Sequence, residues 1–150
     1  MTATTCSLEL TSEETTYMAN YYASCRSNYF NVKNDEAFIE AMSAVPSIEL
    51  CRTKNGFAIL GSCPDGSGWP SWAYDEETDT DIEIDLPDIV SKHLVDNDVA
   101  IFMESGAEKL RYISGWAEAI NNKGERKSIS LSQIYDLAAE LGTSVTHAEY

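Results

Sequence analysis

Residues 35–45 place Phe38, Ile39, Met42 and Val45 at the three- and four-residue spacing of one helical face. Asn34 stands ahead of them as a helix-capping residue. Asp35 and Glu36 suit the positive end of a helix dipole, and Pro46 stops the run. On either side the pattern is that of extended chain. "SNYFNV" (27–32) predicts a strand before the helix, and "SIELCRT" and "GFAILGS" predict two after it. Those two join at Lys54-Asn55-Gly56, where the Asn-Gly pair tolerates the positive φ of a tight hairpin.

The second half opens on a strict alternation. Asp79, Asp81, Glu83 and Asp85 are interleaved with Thr80, Ile82, Ile84 and Leu86. A period of two predicts a strand with Ile82 and Ile84 inward and the carboxylates outward. Asp85 then caps a helix that has Pro87 in its first turn and Ile89, Val90 and Leu94 on its inner face. "DVAIFMES" and "KLRYISGWAEAI" predict the next strands, "NNKG" a turn and "ERKSISL" a return strand. Ser130 and Gln133 form a capping-box pattern. It leads a last helix striped with Leu131, Ile134, Leu137, Ala138 and Leu141 and ending at Gly142.

Strand, helix, strand, strand thus occurs at 28–61 and again at 80–120, which hints at a duplicated unit. The fold class expected is α+β: a single domain with an antiparallel sheet and about three helices on one side. The 150-residue length, with 43% hydrophobic and 10% aromatic residues, suits one compact domain. Residues 19–150 are expected to form it. The polar, Thr-rich residues 1–18 read as a flexible extension without the charged and apolar regions of a signal peptide. Between the two units "CPDGSGWPSWAYDEETD" is irregular, and Trp69, Trp72 and Tyr74 within it either cover one end of the core or form an aromatic contact surface.

Charge sharpens this picture. The chain carries a formal net charge of −15, and residues 75–104 account for 11 acids against 1 base. Residues 105–150 hold 6 acids against 5 bases: Lys109, Arg111, Lys123, Arg126 and Lys127, read mainly as balancing local acids. Such a field repels phosphates, so direct nucleic-acid binding is disfavoured. Side chains two apart on a strand stand about 6.6–6.8 Å from each other. That lies inside the Debye length of about 8 Å at physiological salt, so a row of acids repels itself. Concentrating charge in this way points either to a solvated face or to a site for a cationic partner.

Few residues invite other chemistry. Counted as a calcium loop from Asp79, the sixth and twelfth positions are Ile84 and Val90 rather than Gly and Glu, so the motif fails. His93 and His147 lack neighbours at ligand spacing, and no phosphate-cradling glycine motif occurs. Neither metal nor cofactor is expected. Cys6, Cys25, Cys51 and Cys63 form no C-x-x-C pair and read as reduced thiols of a cytoplasm. Cys63, beside a glycine-rich turn and with His93 as a distant base, is the one candidate nucleophile and a weak one.

"NYYASCRSNYFNVKN", "MESGAEKLRYISGWAEAINNKGE" and "ISLSQIYDLAAELG" resemble stretches of small proteins carried by phages and integrative elements. Acidic members of that class include anti-restriction and anti-CRISPR inhibitors, several of them nucleic-acid mimics. The resemblance implies a non-enzymatic inhibitor of a basic, nucleic-acid-handling host protein. Asp75, Glu76, Glu77, Asp79, Asp81, Glu83, Asp85 and Asp88 would then face the partner, with Trp69 and Trp72 as aromatic anchors. The alternatives are a toxin-immunity or scaffold protein docking through the aromatic loop, and a small enzyme using Cys63.

Overall fold

The computed structural model describes residues 21–62, 68–109 and 111–148. The extension expected at residues 1–18, and Cys63, lie outside the described residues. The fold is α+β. A six-stranded antiparallel sheet runs in the order β2-β3-β1-β6-β7-β8, with two helices packed on one face.

The first strand, β1 (Tyr21–Ser27), lies earlier than "SNYFNV" predicts. It pairs along its whole length with β6 (Val99–Glu108), from Tyr21 opposite Glu108 to Ser27 opposite Phe102. Asn28 ends that ladder. Its side-chain amide donates to Val99 O at 3.0 Å and accepts from Ile101 N at 2.8 Å, so a side chain takes the place of a backbone neighbour. Beyond it the chain bends away, and Phe30 and Val32 make only isolated bridges, to Phe57 and Leu94.

Helix α1 (Asp35–Ser43) begins as its sequence requires, with Asn34 accepting from Ala37 N at 3.0 Å. Phe38, Met42 and Val45 are buried, whereas Ile39 is half exposed at the edge of the face. The hairpin β2 (Ile48–Thr53) and β3 (Gly56–Gly61) follows, closed with Thr53 opposite Gly56. Gly56 sits at φ +116°, and a Cβ there would fall 2.3 Å from Phe30 O. Only glycine lets the two backbones approach so closely.

Helix α2 (Leu86–His93) is capped by Asp85, which accepts from Asp88 N at 3.1 Å, and Pro87 occupies its first turn. Leu86, Val90 and Leu94 enter the core beside Phe30, Phe38, Phe57, Ile59, Phe102 and Ile120. Phe38 packs edge-on against both Phe30 and Phe57, with centroids 5.7 and 5.0 Å away. Strands β6, β7 (Tyr112–Asn121) and β8 (Arg126–Ser130) complete the sheet. The Ser130/Gln133 capping box is present. It opens a 3-10 turn (Leu131–Gln133) that runs into α3 (Ile134–Ala139).

The segment at 72–83 departs from expectation. Strands β4 (Trp72–Asp75) and β5 (Thr80–Glu83) form a separate two-stranded ribbon and do not join the main sheet. Helix-then-hairpin recurs as α1-β2-β3 and α2-β6-β7, but the strands before the helices differ: β1 belongs to the sheet, whereas β5 pairs only with β4. Ile82 was expected inward and is 46% exposed, because the ribbon has no sheet beneath it at that point. Ile84, past the end of the ribbon, is the residue that packs on the core. Asp79 lies in the connecting turn at φ +53° rather than on a strand. Among the described residues no helix is long and apolar enough to cross a membrane.

Candidate interaction surface

The ribbon register decides which side chains share a face. Trp72 stands opposite Glu83 and Tyr74 opposite Asp81, while Ala73 faces Ile82 and Asp75 faces Thr80. Directly opposed residues project from the same side of an antiparallel pair. One face of the ribbon therefore carries Trp72, Tyr74, Asp81 and Glu83. Trp72 is 59% exposed and Tyr74 60%, unusual values for side chains that bury large apolar areas in a core. Asp81 and Glu83 are exposed too, and neither has an ion pair among the described residues.

The turn joining the strands is built from the neighbouring acids. Asp75 accepts from Glu77 N at 3.0 Å and from Thr78 Oγ1 at 2.9 Å, folding the chain back on itself. Glu76 and Glu77 are exposed at the tip. Asp79 accepts a hydrogen bond from the Tyr74 hydroxyl. That bond to a carboxylate raises the Tyr74 phenol above the ordinary tyrosine value, because losing the proton would set two anions together.

The last two acids of the run are spoken for. Asp85, besides capping α2, pairs with Arg126 at 2.7 Å, and Asp88 pairs with Lys92 at 2.8 Å one turn along α2. Burial pulls the Asp85 carboxyl up, but the Arg126 guanidinium and the Asp88 amide outweigh it and leave the group below its usual value. Asp85 thus stands apart from the uncompensated acids with which the sequence grouped it.

Trp69 also has a place in the fold. Its ring meets Phe102 edge-on at 5.4 Å, its indole Nε1 donates to Met103 O at 3.2 Å, and its backbone N donates to Glu104 at 3.0 Å. Glu104 takes a further bond from the Tyr21 hydroxyl at 2.9 Å. Trp69 is thereby anchored to the helix-bearing face of the sheet, at the root of the ribbon. A cavity of about 350 Å³ lies there, bordered by Trp69, Trp116, Glu83, Asp85, Glu104 and Arg126.

The geometry therefore separates the expected residues into an outward set (Trp72, Glu76, Glu77, Asp81, Glu83), a turn-forming set (Asp75, Asp79) and a structurally engaged set (Trp69, Asp85, Asp88). Tyr74 belongs with the first, although the set expected to face a partner does not include it; of the two sequence readings, core cover or contact surface, its exposure suits the second. The signal was in the sequence: a hairpin turning at 76–79 sets Trp72-x-Tyr74 against Asp81-x-Glu83. Chemically, two rings with electron-rich faces beside two carboxylates suit guanidinium or ammonium groups. Among the described residues no group of three or more His, Cys, Asp or Glu side chains is arranged to hold a metal ion. Compared with protein-family models, curated proteins and solved structures, the chain matches none.

Proposed function

We propose that this is a non-enzymatic acidic inhibitor that presents the β4–β5 ribbon to the cationic groove of a nucleic-acid-handling host protein, in the manner of anti-restriction or anti-CRISPR inhibitors. One observation carries the reading: exposed Trp72 and Tyr74 share a ribbon face with uncompensated Asp81 and Glu83. Carboxylates attract lysine and arginine at long range and speed their encounter, while the rings hold the same cations at short range. A nucleic acid would find the rings but be driven off by the acids. The ribbon stands clear of the sheet, so a groove can close around it without disturbing the core.

The reading is tested by capture from a bacterial lysate, with the wild-type chain and the double reversal Asp81→Lys, Glu83→Lys as baits at low and high ionic strength. The expected result is recovery of basic nucleic-acid-binding proteins by the wild type at low salt. That recovery should be lost at high salt and lost with the reversed ribbon. Recovery of the same proteins by both baits at both salt concentrations would refute it.

A further inference from the structure

The face of the sheet turned away from α1 and α2 is covered among the described residues only at its rim, by Leu131 of the 3-10 turn, yet it is largely apolar. Strand alternation sets Met103 of β6, Ala117 of β7, Ile129 of β8 and Leu60 of β3 on that side; Met103 is 53% exposed and Ile129 65%. Together they floor a groove of about 750 Å³ that crosses five strands. Through Met103, Ala117 and Ile129 the groove face of β6, β7 and β8 is thus largely apolar, while β1 brings Ser24 and Arg26 to its edge. Patches of this kind mark contact surfaces.

The same chain displays a second uncovered surface. Of the stripe carried by α3 and the residues just after it, Ile134 is 57% exposed, Leu137 57% and Leu141 93%, and α3 has no buried residue. A helix of six residues is not stable in water on its own propensity and needs its apolar side packed. The tail does not supply that packing. His147 stacks on Tyr135 at 4.1 Å and Ala148 N bonds the Tyr135 hydroxyl at 2.9 Å, bracing the helix from beside the stripe and leaving the stripe open.

We infer that the two surfaces cover each other between two copies of this chain, the α3 stripe of each copy lying in the sheet groove of the other. Size agrees: six residues of helix, about 10 Å across and about 9 Å long, fill on the order of 700 Å³. Charge agrees as well. On the groove side of β1, β6, β7 and β8 the charged side chains are Arg26 and Lys127, both cations and neither ion-paired among the described residues; the acid on this face, Glu49 of β2, stands opposite Leu60 at the far end from Lys127. Residues 131–148 carry Asp136 and Glu140 and no lysine or arginine. In a chain of net charge −15 these two surfaces carry opposite charge, so one copy attracts another through them. Leu131 already lies over Gly115 at the groove rim, where a Cβ would approach it to 3.0 Å, so α3 leaves its own sheet from the border of the groove. The exchange is isologous, which closes at two copies. Both acidic ribbons, rooted on the helix-bearing face, stay outside the interface.

Sedimentation of the full chain over a range of concentrations tests this with three variants: Arg26→Glu/Lys127→Glu, Asp136→Lys/Glu140→Lys, and all four together. All four positions are exposed, and melting temperature verifies that each variant folds. The wild type should sediment as a dimer, each half-reversed variant should weaken dimerisation at least tenfold, and the combined variant should recover it. Leu137→Glu should give a monomer. A wild-type monomer throughout the range, or a dimer indifferent to all these changes, would overturn the inference.

Discussion

Arg126 and Asp85 are 41 residues apart in sequence and 2.7 Å apart in space, joining the edge strand β8 to the N-cap of α2. The same guanidinium reaches Glu118 at 3.1 Å, and these acids hold Arg126 above its ordinary value. Asp85 does two things at once: its Oδ1 caps the helix through Asp88 N and its Oδ2 takes the ion pair.

Two substitutions separate those roles. Asparagine caps a helix as well as aspartate does, so Asp85→Asn keeps the cap and loses the charge pair. Asp85→Ala loses both. The Asn variant should cost well under 1 kcal/mol, since the pair is half exposed. The Ala variant should cost about 1 kcal/mol more. Because the folded Asp85 value is lowered, its contribution is complete above the unfolded carboxylate value, about 3.9. It is lost as pH falls through the lowered folded value. Urea melts from neutral to acid pH should show a steeper acid-side loss in the wild type than in Asp85→Asn. Equal pH profiles would separate the pair from stability.

The Tyr74 hydroxyl reports whether the ribbon turn is formed. Its hydrogen bond to Asp79 raises its ionisation above the ordinary tyrosine value. Asp79→Asn removes the charge and should bring the titration back down. Tyrosine NMR, with Tyr74→Phe to assign the resonance, reads the change directly. A titration unmoved by Asp79→Asn would mean that the turn does not hold the two groups together.

How much of this was legible in the sequence depended on whether a local rule or a distant partner decided each feature. Asn34 and Asp85 were readable as caps because a cap concerns the next three residues. The Lys54-Asn55-Gly56 hairpin was readable because turn chemistry is local. The strand at 27–32 was displaced because Asn28 spends its side chain on β6, a contact across more than seventy positions that no window contains. Ile82 misled for a related reason. Alternation tells which residues share a face but not whether anything covers that face. The acidic run reads as one uniform ridge, yet Arg126 and Lys92 compensate two of its members while Asp81 and Glu83 keep their charge open.

The polar bond most deeply set in the core belongs to Ser27, which is 1% exposed. Its hydroxyl donates to Asn28 O at 2.8 Å and accepts from Ile59 N at 2.8 Å, fastening β1 to β3 just where β1 leaves its ladder. Ser27→Ala keeps the volume but removes the acceptor, leaving the Ile59 amide without this partner in an apolar setting. An unsatisfied buried donor costs about 1–3 kcal/mol, several times the cost of deleting an exposed hydroxyl. Ser24→Ala, three residues earlier on the exposed side of the same strand, should shift stability by no more than about 0.5 kcal/mol. Hydrogen exchange gives the finer reading, with the Ile59 amide losing protection in Ser27→Ala and keeping it in Ser24→Ala. If both variants melt alike and Ile59 stays protected in both, the β1–β3 junction is held by its apolar packing and not by this hydroxyl.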